Sequence, residues 1–287
     1  MRLGQATIAL HPHGEVWLLC VALVAVYVGL IHRYGGLMHP RPDDPAVTGR
    51  QKLAFGLGVA ALWVASGSPL HDLAEHYLYS AHMVQHLLQA FVVPPLLLLG
   101  IPTWMGEMLL RPRWLQRAVA ALSRPLVAAL LFNGTLALIH WPDVVDGMLG
   151  SEVFHASSHV ILIVTATFMW MNVVSPVPHL VPRLNPLPQM IYLFVMTILP
   201  TIPATFLTFG EHPLYHAYAD LPRVWAGFDA LEDMRVAGLI MKIGGGFLLW
   251  GIITVMFFRW AADEERSNRP PASPDPTPTR TPSDLPT

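Results

Sequence analysis

Two short stretches of the chain carry paired histidines at a spacing that suits metal binding. The stretch SAHMVQHLL, residues 80–88, contains His82 and His86, and the stretch FHASSHV, residues 154–160, contains His155 and His159. Side chains four residues apart project from the same face of an α-helix, so each pair can turn both imidazoles toward one centre. Histidine pairs at this spacing are typical of metal sites on helices. The two pairs therefore predict a metal site shared between two helices.

Other polar side chains extend each histidine pair into a stripe along its helix. The first stripe adds four polar residues to His82 and His86, namely Glu75, Tyr79, Gln85 and Gln89. The second adds Glu152 and Ser158 to His155 and His159. A polar stripe turned toward lipid would be costly, so both stripes are expected to face other helices. His140, at the end of another apolar run, is a further candidate ligand.

The predicted ligands do not by themselves choose the metal. Imidazole suits copper, zinc, iron and nickel, and the nearby Met83, Met148 and Met234 favour a soft ion only slightly. Two other interpretations stay open at this point. The facing histidine pairs could ligate b-type haem, as in helical membrane cytochromes. Alternatively, the stripes could hold helices together in a membrane scaffold that has no ligand.

The composition of the chain indicates an integral membrane protein. Hydrophobic residues make up 53% of the 287 residues and charged residues 13%, and the mean hydropathy is +0.47. One soluble domain could not bury so much apolar surface. A nucleic-acid partner is not expected, because the chain has no basic face, zinc-finger spacing or Gly-rich phosphate loop. The single cysteine, Cys20, excludes an intramolecular disulfide.

Seven apolar runs are long enough to cross a hydrocarbon core of roughly 30 Å as helices. They lie at about 15–33, 50–67, 75–100, 125–141, 152–173, 187–209 and 235–259. The final segment is rich in Pro, Ser and Thr and has no apolar run that could drive packing. The sequence therefore predicts an all-α bundle of seven transmembrane helices over residues 1–265, followed by a disordered cytoplasmic tail at 266–287.

Basic residues fall in alternate loops, which predicts the orientation of the bundle. They follow the first, third, fifth and seventh apolar runs, at Arg33, Arg41, Arg50, Lys52, Arg111, Arg113, Arg117, Arg124, Arg183, Arg259, Arg266, Arg269 and Arg280. The positive-inside rule makes these segments cytoplasmic, so the N-terminus is expected outside and the C-terminus inside. Both histidine pairs then lie at shallow depth near the outer face of the membrane.

Five longer stretches share a pattern with a known family. They are SPLHDLAEHYLYSAHMVQHLLQAFVVPPLLLLGIP (68–102), IHWPD (139–143), FHASSHVILIVTATFMWMNVVSP (154–176), YLFVMTILPTIPATFLTF (192–209) and LEDMRVAGLIM (231–241). On these stretches the chain resembles the multi-span CtaG proteins, bacterial assembly factors of haem-copper cytochrome c oxidase. The resemblance implies a seven-helix protein that is needed to make active oxidase and helps copper reach the binuclear centre. The family's residues carry over as His82, Gln85, His86, His140, His155, His159 and Asp233.

The chain departs from the pattern of this family at three positions. Ser158 stands where the family tends to have an acidic residue, Met234 where it has Gln, and Lys242 where it has Trp. The first change removes a carboxylate that could support a ligand, the second offers a thioether, and the third adds a cation. Lys242 is expected either to extend its ammonium toward the membrane surface or to pair with an acid such as Glu75 or Asp233.

These observations predict a copper-handling assembly factor that is not an enzyme. Its metal ligands would be His82, His86, His155 and His159, with His140 or Asp233 completing the shell. The expected partners are the lipid bilayer and, on the outer side, a haem-copper oxidase subunit or a copper donor. The expected location is the bacterial cytoplasmic membrane.

Overall fold

The described part of the chain is built almost entirely from helices. The computed structural model describes residues 2–3, 6–7, 13–38 and 45–268. Two short strands, β1 (Arg2–Leu3) and β2 (Ala6–Thr7), pair antiparallel. Fifteen α-helices follow within those ranges: α1 (Gly14–Met38), α2 (Gly49–Ser66), α3 (Pro69–His76), α4 (Tyr79–Leu87), α5 (Val93–Gly100), α6 (Thr103–Leu109), α7 (Arg113–Leu122), α8 (Pro125–Ile139), α9 (Pro142–Leu149), α10 (Glu152–Val174), α11 (Pro186–Met196), α12 (Thr201–Phe209), α13 (His216–Ala219), α14 (Ala230–Leu239) and α15 (Gly245–Ser267). Two π-helical segments, Leu88–Val92 and Ile240–Gly244, join α4 to α5 and α14 to α15.

Six helical stretches of the described residues are long and apolar enough to cross a membrane. They are Gly14–Leu37, Gly49–His76, Tyr79–Gly100, Glu152–Val174, Pro186–Phe209 and Ala230–Ser267. A seventh exists only if α7 and α8, which meet at a bend of 75°, are counted as one span. The 15 residues of α8 extend about 22 Å, which is less than the roughly 30 Å of a hydrocarbon core. The predicted all-helical membrane fold is confirmed, whereas the count of seven depends on this bent pair.

The boundary between the second and third spans differs from the predicted one. The third span was expected to begin near residue 75, but the helix that carries His82 begins at Tyr79. Residues 69–76 form the separate helix α3, which Ser68 caps and Pro69 begins. Ser at an N-cap followed by Pro at the first helical position is a strong start signal. Glu75 therefore lies on α3 and not on the helix of His82.

A π-helical segment and two prolines shape the middle of the third span. Pro94 and Pro95 have no N–H group, so the carbonyl of Ala90 receives no hydrogen bond from the residue four or five positions later. The indole Nε1–H of Trp170 on α10 donates to that carbonyl at 2.9 Å. Trp170 is almost fully buried. The cross-helix hydrogen bond thus satisfies the acceptor that the prolines leave free.

One end of the bundle gathers most of the polar side chains and is called the histidine end here. Six helix ends meet there through side-chain contacts. They are the N-terminal ends of α1, α4, α10 and α14 and the C-terminal ends of α3 and α8. Segment 210–229 closes this end, since the hydroxyl of Tyr218 donates to the carbonyl of Ala74 at 2.9 Å and that of Tyr215 donates to the carbonyl of His140 at 3.1 Å. The orientation of this end relative to the membrane stays a prediction. The predicted tail lies outside the described residues from residue 269 onward, and α15 continues to Ser267.

Candidate metal centre

The carboxylate of Asp233 holds the first turn of α4, the helix of His82 and His86. Leu78 at the N-cap of α4 offers no side-chain hydrogen bond. Instead, the two oxygens of Asp233 accept the backbone N–H groups of Tyr79 at 2.6 Å and Ser80 at 3.1 Å. These N–H groups have no partner inside the helix, and the positive end of the helix dipole favours an anion there. A residue of α14 therefore fixes the position of the first histidine pair.

The second histidine pair lies in the first turns of α10. The hydroxyl of Ser151 accepts the N–H of Phe154 and caps the helix. His155 and His159 follow on the buried face, with their Nε2 atoms 3.1 Å apart. Two imidazole nitrogens at about 2.0–2.1 Å from one tetrahedral ion lie about 3.3 Å apart. The observed spacing therefore fits a shared ion.

His82 joins this pair from α4 and completes what is called the histidine triad here. One ligand atom from each of His82, His155 and His159 lies within 4.8 Å of the other two. The ring of His82 is 5.3 Å from that of His155 and 5.5 Å from that of His159, measured between centroids. All three side chains are buried, and Nδ1 of His82 has no hydrogen-bond partner among the described residues. A buried polar atom without a partner costs about 1–3 kcal/mol, so a bound ion would relieve this cost.

Glu75 orients His155 from the side of the triad that faces α3. Its Oε1 lies 2.9 Å from Nδ1 of His155, so the carboxylate accepts the Nδ1–H and leaves the lone pair of Nε2 facing His159. Its other oxygen lies 3.5 Å from Nε2 of His71. The amide Nε2–H of Gln85 donates to Nδ1 of His71 at 2.8 Å, which keeps the His71 proton on the nitrogen facing Glu75.

A polar path continues from Glu75 to the start of α1. His13 and His71 stack edge to face with ring centroids 4.5 Å apart. Nε2 of His13 lies 3.4 Å from Oδ1 of Asp72. His13, His71 and Glu75 are each partly exposed, whereas the triad is buried. The path therefore offers imidazole and carboxylate groups between the surface of the histidine end and the triad.

His86 and His140 extend the cluster on the other side of the triad. The ring of His86 lies 4.1 Å from that of His82, 5.2 Å from that of His159 and 5.6 Å from that of His140. Nδ1 of His140 donates to the carbonyl of Leu136 at 2.7 Å, so its Nε2 carries the lone pair. Within the described residues, neither this Nε2 nor either ring nitrogen of His86 has a hydrogen-bond partner. Both side chains are buried, so their free nitrogens also lack solvent.

The sequence model of one family covers most of the chain. The family described as cytochrome c oxidase caa3 assembly factor (Caa3_CtaG) matches residues 16–263. The chain belongs to this family. The resemblance expected from HMVQHLL and the other stretches is thereby confirmed, and Caa3_CtaG proteins are cytochrome c oxidase assembly factors. No curated protein and no solved structure matches the sequence of this Caa3_CtaG protein.

Five of the six predicted ligands of this Caa3_CtaG protein lie in one cluster, namely His82, His86, His140, His155 and His159. The sixth, Asp233, is not one of the closely spaced ligand atoms of the triad. Both of its oxygens instead bind the backbone of α4, as described above. Its position supports a positioning role, because it anchors the helix that carries His82.

The three positions that depart from the Caa3_CtaG pattern have distinct surroundings. The hydroxyl of Ser158 donates to the carbonyl of His155 at 2.6 Å and faces the sulfur of Met148 at 2.9 Å. The sulfur of Met234 faces the N–H of Leu214 at 3.2 Å. Lys242 is exposed, and the acids expected to pair with it, Glu75 and Asp233, bind His155 and the backbone of α4 instead. Glu75 thus supplies the supporting carboxylate that Ser158 does not provide.

Four residues of the polar path beside the cluster were not among the predicted ligands: His13, Asp72, His71 and Glu75. Two sequence signals could have found part of this set. Ser68 and Pro69 start a new helix, and His71 and Glu75 follow with the same four-residue spacing as the histidine pairs. His13 lies before the first apolar run and has no comparable signal.

Proposed function

We propose that this Caa3_CtaG protein takes up a copper ion at the histidine triad and holds it for insertion into cytochrome c oxidase. The observation that carries the proposal is the convergence of His82, His155 and His159 from two helices, with ligand atoms within 4.8 Å of one another. Imidazole is a good ligand for copper. The resemblance described above implies that the ion is copper. Membership of an oxidase assembly family supports this choice.

The arrangement of the ligands suits temporary holding of an ion. Three imidazoles can hold the ion while a further ligand enters from His86 or from the polar path at Glu75. Transfer needs such exchange, because an ion closed in by four fixed ligands leaves slowly. Copper is therefore cargo in this proposal and takes part in no reaction catalysed by the protein, in agreement with an assembly role.

The close packing of the cluster favours an ion over b-type haem. A porphyrin held between the two histidine pairs would have to fit between rings whose centroids lie 5.2–5.5 Å apart. The unpartnered nitrogens of His82 and His86 also favour a ligand over a purely structural role, since these atoms make no hydrogen bond within the described residues. Histidines that served only to hold helices together would be expected to form hydrogen bonds with the neighbouring helices.

The proposal places the triad near the outer side of the bacterial cytoplasmic membrane. Support comes from the basic loops, which lie at the opposite end of the described helices from the triad. Copper would then enter along His13, His71 and Glu75 from a donor on the outer side. A subunit of the oxidase would receive it.

The proposal can be tested by measuring copper affinity in the full-length protein in detergent. One equivalent of copper is added and competed with a chromophoric chelator. Replacement of His155 and His159 by Ala should weaken binding by more than about 100-fold, since changes behind the ligands alone cost about 10–100-fold. The control is His212→Ala, which removes an exposed histidine from the histidine end. Unchanged affinity in a folded double variant would contradict the proposal.

A further inference from the structure

A small cavity next to the triad is lined by two thioethers and two imidazoles. Its volume is about 20 Å³, and Met83, Met241, His86 and His140 lie in its wall together with apolar side chains. A buried space of roughly 10–15 Å³ or more holds one water-sized group. The cavity therefore has room for a single small ligand such as a metal ion.

Both imidazoles in this wall have nitrogens free to bind a ligand. His86 is 5% exposed and His140 is 4% exposed, so neither is satisfied by bulk water. Nδ1 of His140 is already used by Leu136, which leaves the lone pair of Nε2 available. Across the described residues, no group bonds to this Nε2 or to either nitrogen of His86. Each buried polar atom without a hydrogen bond lowers the folding stability by about 1–3 kcal/mol. Three such nitrogens belong to the two imidazoles that line this cavity.

The ring spacing is compatible with a shared ion. An imidazole centroid lies about 3 Å from an ion bound to its nitrogen, because the metal–nitrogen bond is about 2.0–2.1 Å. Two such rings have centroids at most about 6 Å apart. The centroids of His86 and His140 are 5.6 Å apart.

The thioethers decide which kind of ion the cavity suits. Met83 and Met241 are almost fully buried, so their sulfurs are shielded from water. Soft thioether ligands favour Cu(I) over hard cations, and imidazole is also a suitable ligand for copper. Met241 lies in the π-helical segment Ile240–Gly244, and His86 lies just before the other π-helical segment. Such segments are frequent at functional sites because they alter the direction of side chains.

We propose that Met83, Met241, His86 and His140 form a second metal site, selective for Cu(I), beside the histidine triad. This site rests on the proposed copper-handling function. His86 links the two sites, since its ring lies 4.1 Å from that of His82 and 5.6 Å from that of His140. Copper could therefore pass from the triad by exchange of one ligand at a time, with no change in its oxidation state.

The second site lies between the triad and a larger cavity. That cavity is open to the surface of the bundle, has a volume of about 570 Å³ between α8 and α12, and is lined by His140 together with Asn133, Pro200 and the exposed Phe206. His140 thus borders both cavities. The site would be the last holding point before copper reaches this larger space.

X-ray absorption of Cu(I)-loaded protein tests the site directly. The full-length protein in detergent is loaded without oxygen with two equivalents of Cu(I). The wild type should bind both and show copper–sulfur scattering in addition to nitrogen. Replacing Met83 and Met241 by Leu keeps the side-chain volume nearly constant, so the fold should tolerate it. This variant should lose the sulfur scattering and bind one equivalent fewer.

Met148→Leu is the matched control, because the sulfur of Met148 faces the hydroxyl of Ser158 and lies outside the wall of the small cavity. It should keep the sulfur scattering. Wild-type protein that binds a single Cu(I) through nitrogen alone would overturn the second site and leave the triad intact. Sulfur scattering that persists in the double Leu variant would also overturn it. Wild-type protein that binds no copper would contradict both proposals.

Discussion

Oε1 of Glu75 lies 2.9 Å from Nδ1 of His155, so a carboxylate on α3 holds an imidazole on α10. This contact sets which nitrogen of His155 carries the proton and directs the other nitrogen toward His159, 3.1 Å away. Carboxylates behind metal-binding histidines fix the orientation of the ring and strengthen it as a ligand. The geometry of the triad therefore depends on a helix that contributes no member of the triad.

Replacement of Glu75 by Gln should weaken copper binding at the triad by about 10–100-fold. The amide keeps the size of the side chain but loses the charge that holds the Nδ1–H of His155. Competition with a chelator measures the affinity. Glu152→Gln, which removes an exposed acid from the first turn of the same helix as His155, should leave the affinity unchanged. Equal affinities for the wild type and Glu75→Gln would show that the contact does not support the ligand.

Replacement of Asp233 by Ala should destabilise the protein and disturb the triad. The N–H groups of Tyr79 and Ser80 would lose their acceptors, at a cost of about 1–3 kcal/mol for each buried group. The loss can be measured by chemical unfolding in detergent, together with copper affinity. Asp220→Ala changes an exposed acid in segment 210–229 and should have little effect. If the Asp233 variant lost copper affinity but no stability, Asp233 would act as a ligand and not as an anchor of α4.

Replacement of Trp170 by Phe should lower stability without removing a metal ligand. Phe lacks the N–H that donates to the carbonyl of Ala90, and the two prolines leave that carbonyl no helical donor. We expect a loss of about 1–3 kcal/mol from the unsatisfied acceptor, with some further loss from the smaller ring. The unfolding free energy of Trp250→Phe, a change at a half-exposed position on α15, is the comparison. Similar losses in the two variants would contradict a special role for this hydrogen bond.

The stability of the histidine end should fall at high pH. Burial raises the pKa of Tyr215 from 10.0 to about 12. A group whose pKa is higher in the folded state stabilises the fold fully below its unfolded pKa and loses that contribution as the pH rises through the folded pKa. The unfolding temperature should therefore decrease between pH 10 and pH 12. In Tyr215→Phe the decrease should be smaller, and an identical decrease would exclude Tyr215 as its source.

The sequence is enough to predict the helical class and most of the cluster, because both follow from local patterns. Long apolar runs indicate spans, and histidines four residues apart indicate a shared helical face, as for His82 with His86. The start of α4 at Tyr79 was harder to predict from the sequence, because hydropathy does not fall at the break between α3 and α4. The count of seven spans stays a prediction, since α8 is apolar but has only 15 residues and reaches the length of a span only together with α7, across a bend of 75°.

Contacts between distant helices were the part that sequence could not supply. The spacing of residues along the chain does not show that Glu75 faces His155. It also does not show that both oxygens of Asp233 are used by the backbone of α4. Asp233 was predicted as a ligand because the resemblance to the CtaG proteins carries it over. Its actual contacts depend on how α14 packs against α4.

The anchor of α4 also determines when the proposed copper site is completed during biosynthesis. Tyr79 and Ser80 emerge from the ribosome early, but Asp233 belongs to the last membrane span and is made much later. A nascent chain that has inserted only its first five candidate spans would present His82 and His86 without the carboxylate that anchors their helix. If the triad takes up copper as proposed, its complete form therefore exists only after the last candidate span has been inserted.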